Sequence, residues 1–280
     1  MPEHLPVLAA VVLAGWAYAR GTRRLWARTG VTHPWRAAAF SVGLAAVLLV
    51  LVTPLDQAGH ERLWAHMVQH EVLVAVAAPL LILANPLPSM LWALSPATRA
   101  AVAPWWRRLS RNHASPRGWA RWAAAALVLQ TVAFWGWHAP DLYEAALRSD
   151  LLHALQHASF LGTALFFWWA VLGARRRSLY GGGVLVNFFA ALQGVALGAF
   201  MTLSGRVWYP TYATFEGGGF TPLEDQQVAG VIMWGPAGAV YLLAAVLLFG
   251  AWLGGSDDEA GEAVGREQGP SRVAAGVSAR

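Results

Sequence analysis

The histidines best placed to do chemistry form two pairs with the same spacing. His66 is followed four residues later by His70, and His153 is followed four residues later by His157. Residues four apart lie on one face of a helix, about 6 Å apart along its axis. Two such pairs on neighbouring helices could present four imidazoles to one volume, and imidazole binds copper, zinc, iron and nickel. The spacing therefore predicts a metal site, with interhelical hydrogen bonding as its structural alternative.

A fifth histidine and three methionines add further candidate ligands. His138 ends an apolar stretch, where it could supply a fifth imidazole. Met67 follows His66 directly, Met201 ends another apolar stretch, and Met233 lies in the last one. Thioether together with imidazole favours Cu(I), although buried methionines also commonly fill gaps in a core. The methionines therefore point only weakly to Cu(I), with Met67 and Met201 as accessory candidates.

Three acidic residues lie near these candidate ligands. Glu71 follows His70 by one residue, so on a helix it points about 100° away from that imidazole, on the side of Met67. A flanking role, orienting an imidazole or carrying a proton, is therefore favoured over direct ligation. Glu224 and Asp225 precede the last apolar stretch, where they could cap a helix or form an acidic rim that attracts cations. Both interpretations of this pair stay open.

Two missing residue types exclude several classes of site. The chain has no cysteine, which excludes disulfides, thiolate metal sites and iron–sulfur clusters. A metal would therefore be held by histidine, carboxylate or methionine. All 20 basic residues are arginine, so no lysine is present for the Schiff base of a seven-helix retinal protein. The chain carries no nucleic-acid-binding signature, so no nucleic-acid partner is expected.

The elements that carry these residues are apolar enough for a membrane. Hydrophobic residues make up 57% of the 280 residues and charged residues 12%, against about 25% charged in soluble domains. Apolar runs long enough to cross a bilayer alternate with arginine-rich stretches. The sequence predicts an all-α, polytopic membrane bundle of about seven transmembrane helices in one domain, 1–253, and a disordered cytoplasmic tail, 254–280. The predicted spans lie near residues 4–20, 36–55, 60–84, 119–137, 151–174, 184–204 and 226–253.

The distribution of arginine predicts the orientation of these helices. Cytoplasmic loops of membrane proteins carry an excess of basic residues. With the N-terminus outside and the C-terminus cytoplasmic, 17 of the 20 arginines fall in cytoplasmic segments, and only Arg62, Arg148 and Arg206 lie outside. This orientation places seven of the nine histidines at or near the outer face and leaves only His33 and His113 inside. Because the orientation follows from arginine alone, the clustering of histidine is an independent observation.

Four segments, taken in order, resemble a known family. They run from His66 to Glu71, from Trp137 to Leu147, from His153 to His157 and from Glu224 to Trp234. Together they resemble the CtaG-type cytochrome c oxidase assembly proteins of bacteria, over roughly residues 40–250.

This resemblance implies a seven-span, non-enzymatic assembly factor of the bacterial plasma membrane. It implies action at the copper step of maturing a heme–copper oxidase. An oxidase subunit and the lipid bilayer are the expected partners, with a copper chaperone as a further candidate. Copper is the expected cofactor, and heme is less favoured. The functional residues that the resemblance implies are His66, His70, His138, His153 and His157.

Three other functions stay as alternatives. A bis-histidine b-type cytochrome would place one imidazole on each side of a heme, and two crowded pairs match that need poorly. A transporter of metal ions or protons would need ionisable groups or broken helices near the membrane midplane. Pro79 and Pro236 could break helices, but the inner halves of the spans carry few ionisable groups. A zinc hydrolase would typically carry an H-E-x-x-H motif, which the chain lacks.

Overall fold

The computed structural model describes residues 4–31, 33–173, 177–214 and 219–267, with side chains up to Gly254. Within these ranges the chain is helical and contains no strand, which confirms the all-α prediction. Short 3-10 turns occupy Arg177–Leu179 and Pro210–Thr214. The α-helices are α1 (Leu5–Thr29), α2 (Pro34–Val52), α3 (Pro54–Glu61), α4 (Leu63–Leu83, with a π-helical stretch), α5 (Pro86–Ala93), α6 (Pro96–His113), α7 (Pro116–His138), α8 (Pro140–Leu147), α9 (Asp150–Leu172), α10 (Tyr180–Leu203) and α11 (Pro222–Glu267).

Proline and hydroxyl residues determine where most helices begin. Seven helices start with proline: α2, α3, α5, α6, α7, α8 and α11. Proline suits a first helical turn because it lacks an N–H that would find no partner there. The Ser149 hydroxyl accepts a hydrogen bond from the Leu152 N–H and so begins α9 just ahead of His153. Pro140 similarly starts α8 two residues after His138, the last residue of α7.

Six helices are long and apolar enough to cross a membrane. They are α1, α2, α4, α9, α10 with its preceding turn, and α11 as far as Gly254. They correspond to six of the seven predicted spans, so the polytopic membrane bundle is confirmed.

The remaining predicted span, 119–137, forms α7. This helix is not among those that are apolar enough to be counted as spans. It is still as long as α9, at 23 residues each. Near its start, Trp119 Nε1 donates a 3.0 Å hydrogen bond to the carbonyl of Ala170, close to the end of α9. In its last turn, Trp137 Nε1 donates a 2.6 Å hydrogen bond to the Ser159 hydroxyl, close to the start of α9. Thus α7 lies antiparallel to a membrane-length helix, while a crossing by α7 and the orientation of the termini stay predictions.

A tryptophan joins α9 to the irregular part of α4. Residues Val72–Ala77 of α4 are π-helical, a feature common at functional sites. Pro79 has no N–H, so it cannot donate to the carbonyl of Val74 five residues earlier. Trp168 Nε1 donates a 2.9 Å hydrogen bond to that carbonyl instead. Pro79 therefore does not break the helix, and Trp168 fixes α4 against α9 one turn beyond the histidine pair of α4.

Close backbone contact holds α1 on the short helix α5. A Cβ atom at Gly21 would lie 1.6 Å from the carbonyl oxygen of Ser89, so only glycine fits there. Arg24 Nη1 donates hydrogen bonds of 3.2 to 3.3 Å to the last carbonyls of α5, which have no partner within the helix. The apolar segment Pro86–Ala93 is thus a helix of eight residues packed on α1.

Glycines also let α10 and α11 approach each other closely. A Cβ at Gly198 would lie 2.7 Å from the carbonyl oxygen of Gly230, and a Cβ at Gly230 would lie 2.6 Å from that of Gly198. Small residues at such contacts are typical of helix pairs in membranes. The backbone of α11 is helical to Glu267, and residues 268–280 lie outside the described part of the chain. The division into a domain 1–253 and a disordered tail therefore stays a prediction.

Candidate metal centre

Three of the predicted histidines come together between α4 and α9. His66, His153 and His157, here called the histidine trio, each offer one ring nitrogen within 4.8 Å of the other two. Their ring centroids are 5.1 Å apart for His66 and His153, 5.5 Å for His66 and His157, and 4.4 Å for His153 and His157. Shifts of about 1 Å in the rings bring these nitrogens to a common metal at the usual distance of about 2.1 Å. The trio can therefore form a three-coordinate site.

The other two predicted histidines lie directly beside the trio. The His70 ring is 4.5 Å from His66 and 5.2 Å from His157. His138 lies 5.7 Å from His70, on the side away from the trio, and its Nε2 is 3.4 Å from Met67 Sδ. We call His70, His138 and Met67 the thioether pocket. All five predicted histidines thus form one continuous cluster from α4, α7 and α9.

Hydrogen bonds fix the tautomer of His66. Its Nδ1 lies 2.9 Å from the hydroxyl oxygen of Tyr212, and that hydroxyl donates its single proton to the carbonyl of Gly59 at 2.8 Å. The tyrosine oxygen can then only accept, so His66 Nδ1 carries the proton. The lone pair of the neutral ring consequently lies on Nε2. Orientation of a metal-binding imidazole through its other nitrogen is the usual arrangement in metalloproteins.

The cluster contains buried imidazole nitrogens without any hydrogen-bond partner in the described part of the chain. They are Nε2 of His66, His153 and His157, and both ring nitrogens of His70. Leaving a buried polar atom unpaired costs about 1–3 kcal/mol. Five unpaired nitrogens in one volume therefore call for a ligand. A cation bound between the rings would take up the lone pair that each neutral ring carries on one nitrogen.

The start of α4 is fixed by a residue from the far end of the chain. The two carboxylate oxygens of Asp225, in α11, accept 3.0 Å hydrogen bonds from the N–H groups of Leu63 and Trp64. Glu224 instead accepts hydrogen bonds from Thr221 and caps its own helix. Of the two roles left open for this acidic pair, capping is therefore the one observed. Asp225 positions the turn that carries His66.

A wide crevice in the bundle reaches two rings of the trio, His153 and His157. Its volume is about 1120 Å³, and its walls are mostly apolar residues of α1, α5, α6 and α9. Asp56, His60 and Asp150 line the same crevice together with His153 and His157. The trio is therefore reachable from outside the bundle through a passage that carries carboxylates and an additional imidazole.

The match to a family model decides what kind of protein this is. The model for the cytochrome c oxidase caa3 assembly factor (Caa3_CtaG) matches residues 16–254. The chain belongs to this family. No curated protein and no solved structure matches the chain significantly.

The assembly factor also uses residues that the sequence did not single out. Tyr212 orients His66, and the Tyr209 hydroxyl donates a 2.8 Å hydrogen bond to the carbonyl of His138. Tyr143 stacks on Tyr209 with ring centroids 4.1 Å apart. Burial raises the pKa of all three tyrosines well above its ordinary value, so their hydroxyls stay protonated. No spacing pattern marks Tyr209 and Tyr212, which lie in the loop between α10 and α11; only their aromatic character in a polar loop was a signal.

The loop that carries these tyrosines is tied to α8. Glu144 accepts hydrogen bonds from the backbone N–H and the hydroxyl of Thr211, at 3.0 and 2.6 Å. Thr211 directly precedes Tyr212. These two half-buried hydrogen bonds thus hold Tyr212 in place against His66.

Glu71 and the remaining methionines lie away from the imidazole cluster. Glu71 lines a cavity of about 20 Å³ together with Gln130, Tyr241 and Met233, enough for one water molecule. Gln130 Nε2 donates a 2.7 Å hydrogen bond to the Tyr241 hydroxyl beside it. Met201 and Met233 are fully buried in the main hydrophobic core. Of the accessory candidates, only Met67 touches an imidazole nitrogen in the described structure.

Proposed function

We propose that this assembly factor binds copper in the histidine cluster and supplies it to a heme–copper oxidase while that enzyme is assembled. The observation that carries the proposal is the set of buried, unpartnered imidazole nitrogens on α4 and α9. Membership of an oxidase assembly family supports the client. In this role the protein is a non-catalytic carrier, and its partners are an oxidase subunit and, as a source of metal, a copper chaperone.

The ligand types support copper over harder cations. The cluster offers imidazoles and one thioether, whereas calcium and magnesium require oxygen ligands. Neutral imidazoles bind copper without any thiolate, which this cysteine-free chain could not supply. A site of three imidazoles leaves a coordination position open, unlike a closed structural site. An open position lets a partner's ligand attach before the metal leaves.

The position of the cluster supports transfer at one face of the membrane. All five histidines lie at the end of the bundle where α4 and α9 begin and α7 ends. The arginine distribution supports the assignment of this end to the outer face of a bacterial plasma membrane. We therefore propose that the N-terminus lies outside and that copper is delivered on the outer side.

The first experiment measures copper in the detergent-purified full chain after Cu(I) is added under reducing conditions. We expect bound copper in the wild type and none in a variant with His66, His70, His153 and His157 all replaced by alanine. The matched control is His33→Ala, which removes an exposed histidine ahead of α2. Wild-type protein that retains no copper would refute the proposal.

An absorption spectrum of the same sample separates copper from heme. Heme gives an intense Soret band, whereas Cu(I) is colourless. A Soret band that is lost in the quadruple variant would replace the copper carrier by a bis-histidine cytochrome. Oxidase activity in cells that carry the quadruple variant then tests the client: we expect it to fall, while His33→Ala preserves it.

A further inference from the structure

A second set of metal-binding atoms lies deeper than the trio. His70, His138 and Met67 form the thioether pocket, and their side chains are 1%, 2% and 0% exposed. They come from two helices and converge at the end of α7. Phe160 packs against both imidazoles, with ring centroids 4.5 Å from His70 and 5.8 Å from His138. An aromatic ring therefore packs over both imidazoles of this buried pocket.

Two electron-pair donors face each other in this pocket. His138 Nδ1 lies 2.6 Å from the carbonyl oxygen of Phe134, which can only accept, so Nδ1 carries the ring proton. His138 Nε2 then presents its lone pair to Met67 Sδ at 3.4 Å. Nitrogen and sulfur ligands of one metal, at about 2.0 and 2.3 Å from it, are separated by about 3.5 Å in a tetrahedral site. The observed spacing is thus the one that a shared metal requires.

A chain of imidazoles connects the surface to this pocket. His60 is exposed at the end of α3, and its ring lies 4.9 Å from that of His153. His153 is half-buried, whereas His66, His157 and His70 are fully buried. Along the path His60, His153, His157, His70 and His138, successive ring centroids lie 4.4 to 5.7 Å apart. Asp56 and Asp150 line the crevice beside His60 and attract cations to its mouth.

We propose that copper moves along this chain: Cu(I) is taken up through His60, is held by the histidine trio, and passes on to the thioether pocket. The proposal rests on the copper-binding function proposed above and adds a second position and a direction. In the inward step, bonds from copper to His66, His153 and His157 break as bonds to His70, His138 and Met67 Sδ form. The copper stays Cu(I), and the neutral imidazoles neither gain nor lose a proton.

The two positions differ in the cations they accept. Three imidazoles bind several divalent metals as well as copper, whereas a thioether favours Cu(I). A zinc ion that reaches the trio is therefore held back from the thioether pocket. The inner position acts as a filter that passes only Cu(I) to the client.

X-ray absorption of the Cu(I)-loaded full chain tests the inner position. We expect a copper–sulfur contribution near about 2.3 Å in the wild type, and its loss in Met67→Leu with copper–nitrogen scattering retained. Met201→Leu is the matched control, because Met201 is equally buried in the same core, whereas only Met67 contacts an imidazole nitrogen in the described part of the chain. Nitrogen-bound copper without sulfur in the wild type, or unchanged sulfur in Met67→Leu, would overturn the inner position and leave the copper carrier standing. A wild type without copper would remove both proposals.

The rate of copper uptake tests the role of His60. Cu(I) is offered from a coloured chelator complex, and its transfer is followed by absorbance. We expect His60→Ala to slow uptake several-fold and to leave the final copper content unchanged, while His33→Ala loads as the wild type does. Uptake by His60→Ala at the wild-type rate would overturn the path through His60.

Discussion

The hydroxyl of Tyr212 lies 2.9 Å from Nδ1 of His66, although the two residues are 146 positions apart in the chain. The contact joins the loop between α10 and α11 to the first turns of α4. Since the same hydroxyl donates to Gly59, the loop, the end of α3 and the His66 ring form one hydrogen-bonded unit. The tyrosine therefore determines which nitrogen of His66 faces the trio.

Removal of this hydroxyl is expected to weaken copper binding without removing a ligand. In Tyr212→Phe, His66 Nδ1 loses its acceptor, so the ring can rotate or adopt the other tautomer. Loss of such outer partners typically lowers metal affinity by about 10–100-fold, and we expect an effect in this range in a Cu(I) competition titration. Tyr209→Phe is the control, because it loses a buried hydrogen bond to a backbone carbonyl and not to a ring nitrogen. Equal affinities in the two variants would show that Tyr212 acts only through general stability.

Asp225 is expected to stabilise the protein through the start of α4. Asp225→Ala leaves the N–H groups of Leu63 and Trp64 without their acceptor, which we expect to cost about 1–3 kcal/mol. Asp225→Asn should cost less, because its amide oxygen can still accept one of the two hydrogen bonds. The measurement is the midpoint of thermal unfolding in detergent, with Glu224→Ala as the control for an exposed cap. A larger loss in Glu224→Ala than in Asp225→Ala would contradict the positioning role.

The proximity of the paired histidines was predictable from the sequence because helix geometry is local. A spacing of four residues places His66 over His70 and His153 over His157 whatever the rest of the fold does. Membrane burial then makes an imidazole conspicuous, since ionisable groups in a span are rare and costly. The cluster of all five histidines, including His138, followed from these two facts.

The supporting contacts were not predictable in the same way. Asp225 lies in the first turn of α11, where capping of its own helix was the natural expectation, yet it caps α4. The contact of Tyr212 with His66 depends on the conformation of a loop. The position of His138 in the thioether pocket, apart from the histidine trio, depends on where α7 ends beside α4. Each of these is a long-range relationship between elements, and the periodicity of one segment carries no information about it.

The packing of α1 on α5 is expected to tolerate no side chain at Gly21. In Gly21→Ala the new Cβ meets the backbone of Ser89 and not a side chain that could move away. We expect a loss of about 1–3 kcal/mol, as for other overpacked sites. Gly250→Ala is the control: no atom lies within 4 Å of its Cβ, and alanine favours a helix over glycine. Thermal unfolding should therefore show a lowered midpoint for Gly21→Ala only.

The crossing by α7 can be tested because the chain contains no cysteine. Single cysteines at Arg111→Cys and Asp141→Cys place one thiol before α7 and one after it, both at exposed positions. If α7 crosses the membrane, a membrane-impermeant maleimide added to intact cells labels Asp141→Cys, and it labels Arg111→Cys only after the cells are permeabilised. This result is also the one expected from the arginine distribution, which places Arg111 inside. Labelling of both cysteines in intact cells would reduce the bundle to six spans and would place both ends of α7 on the outer side.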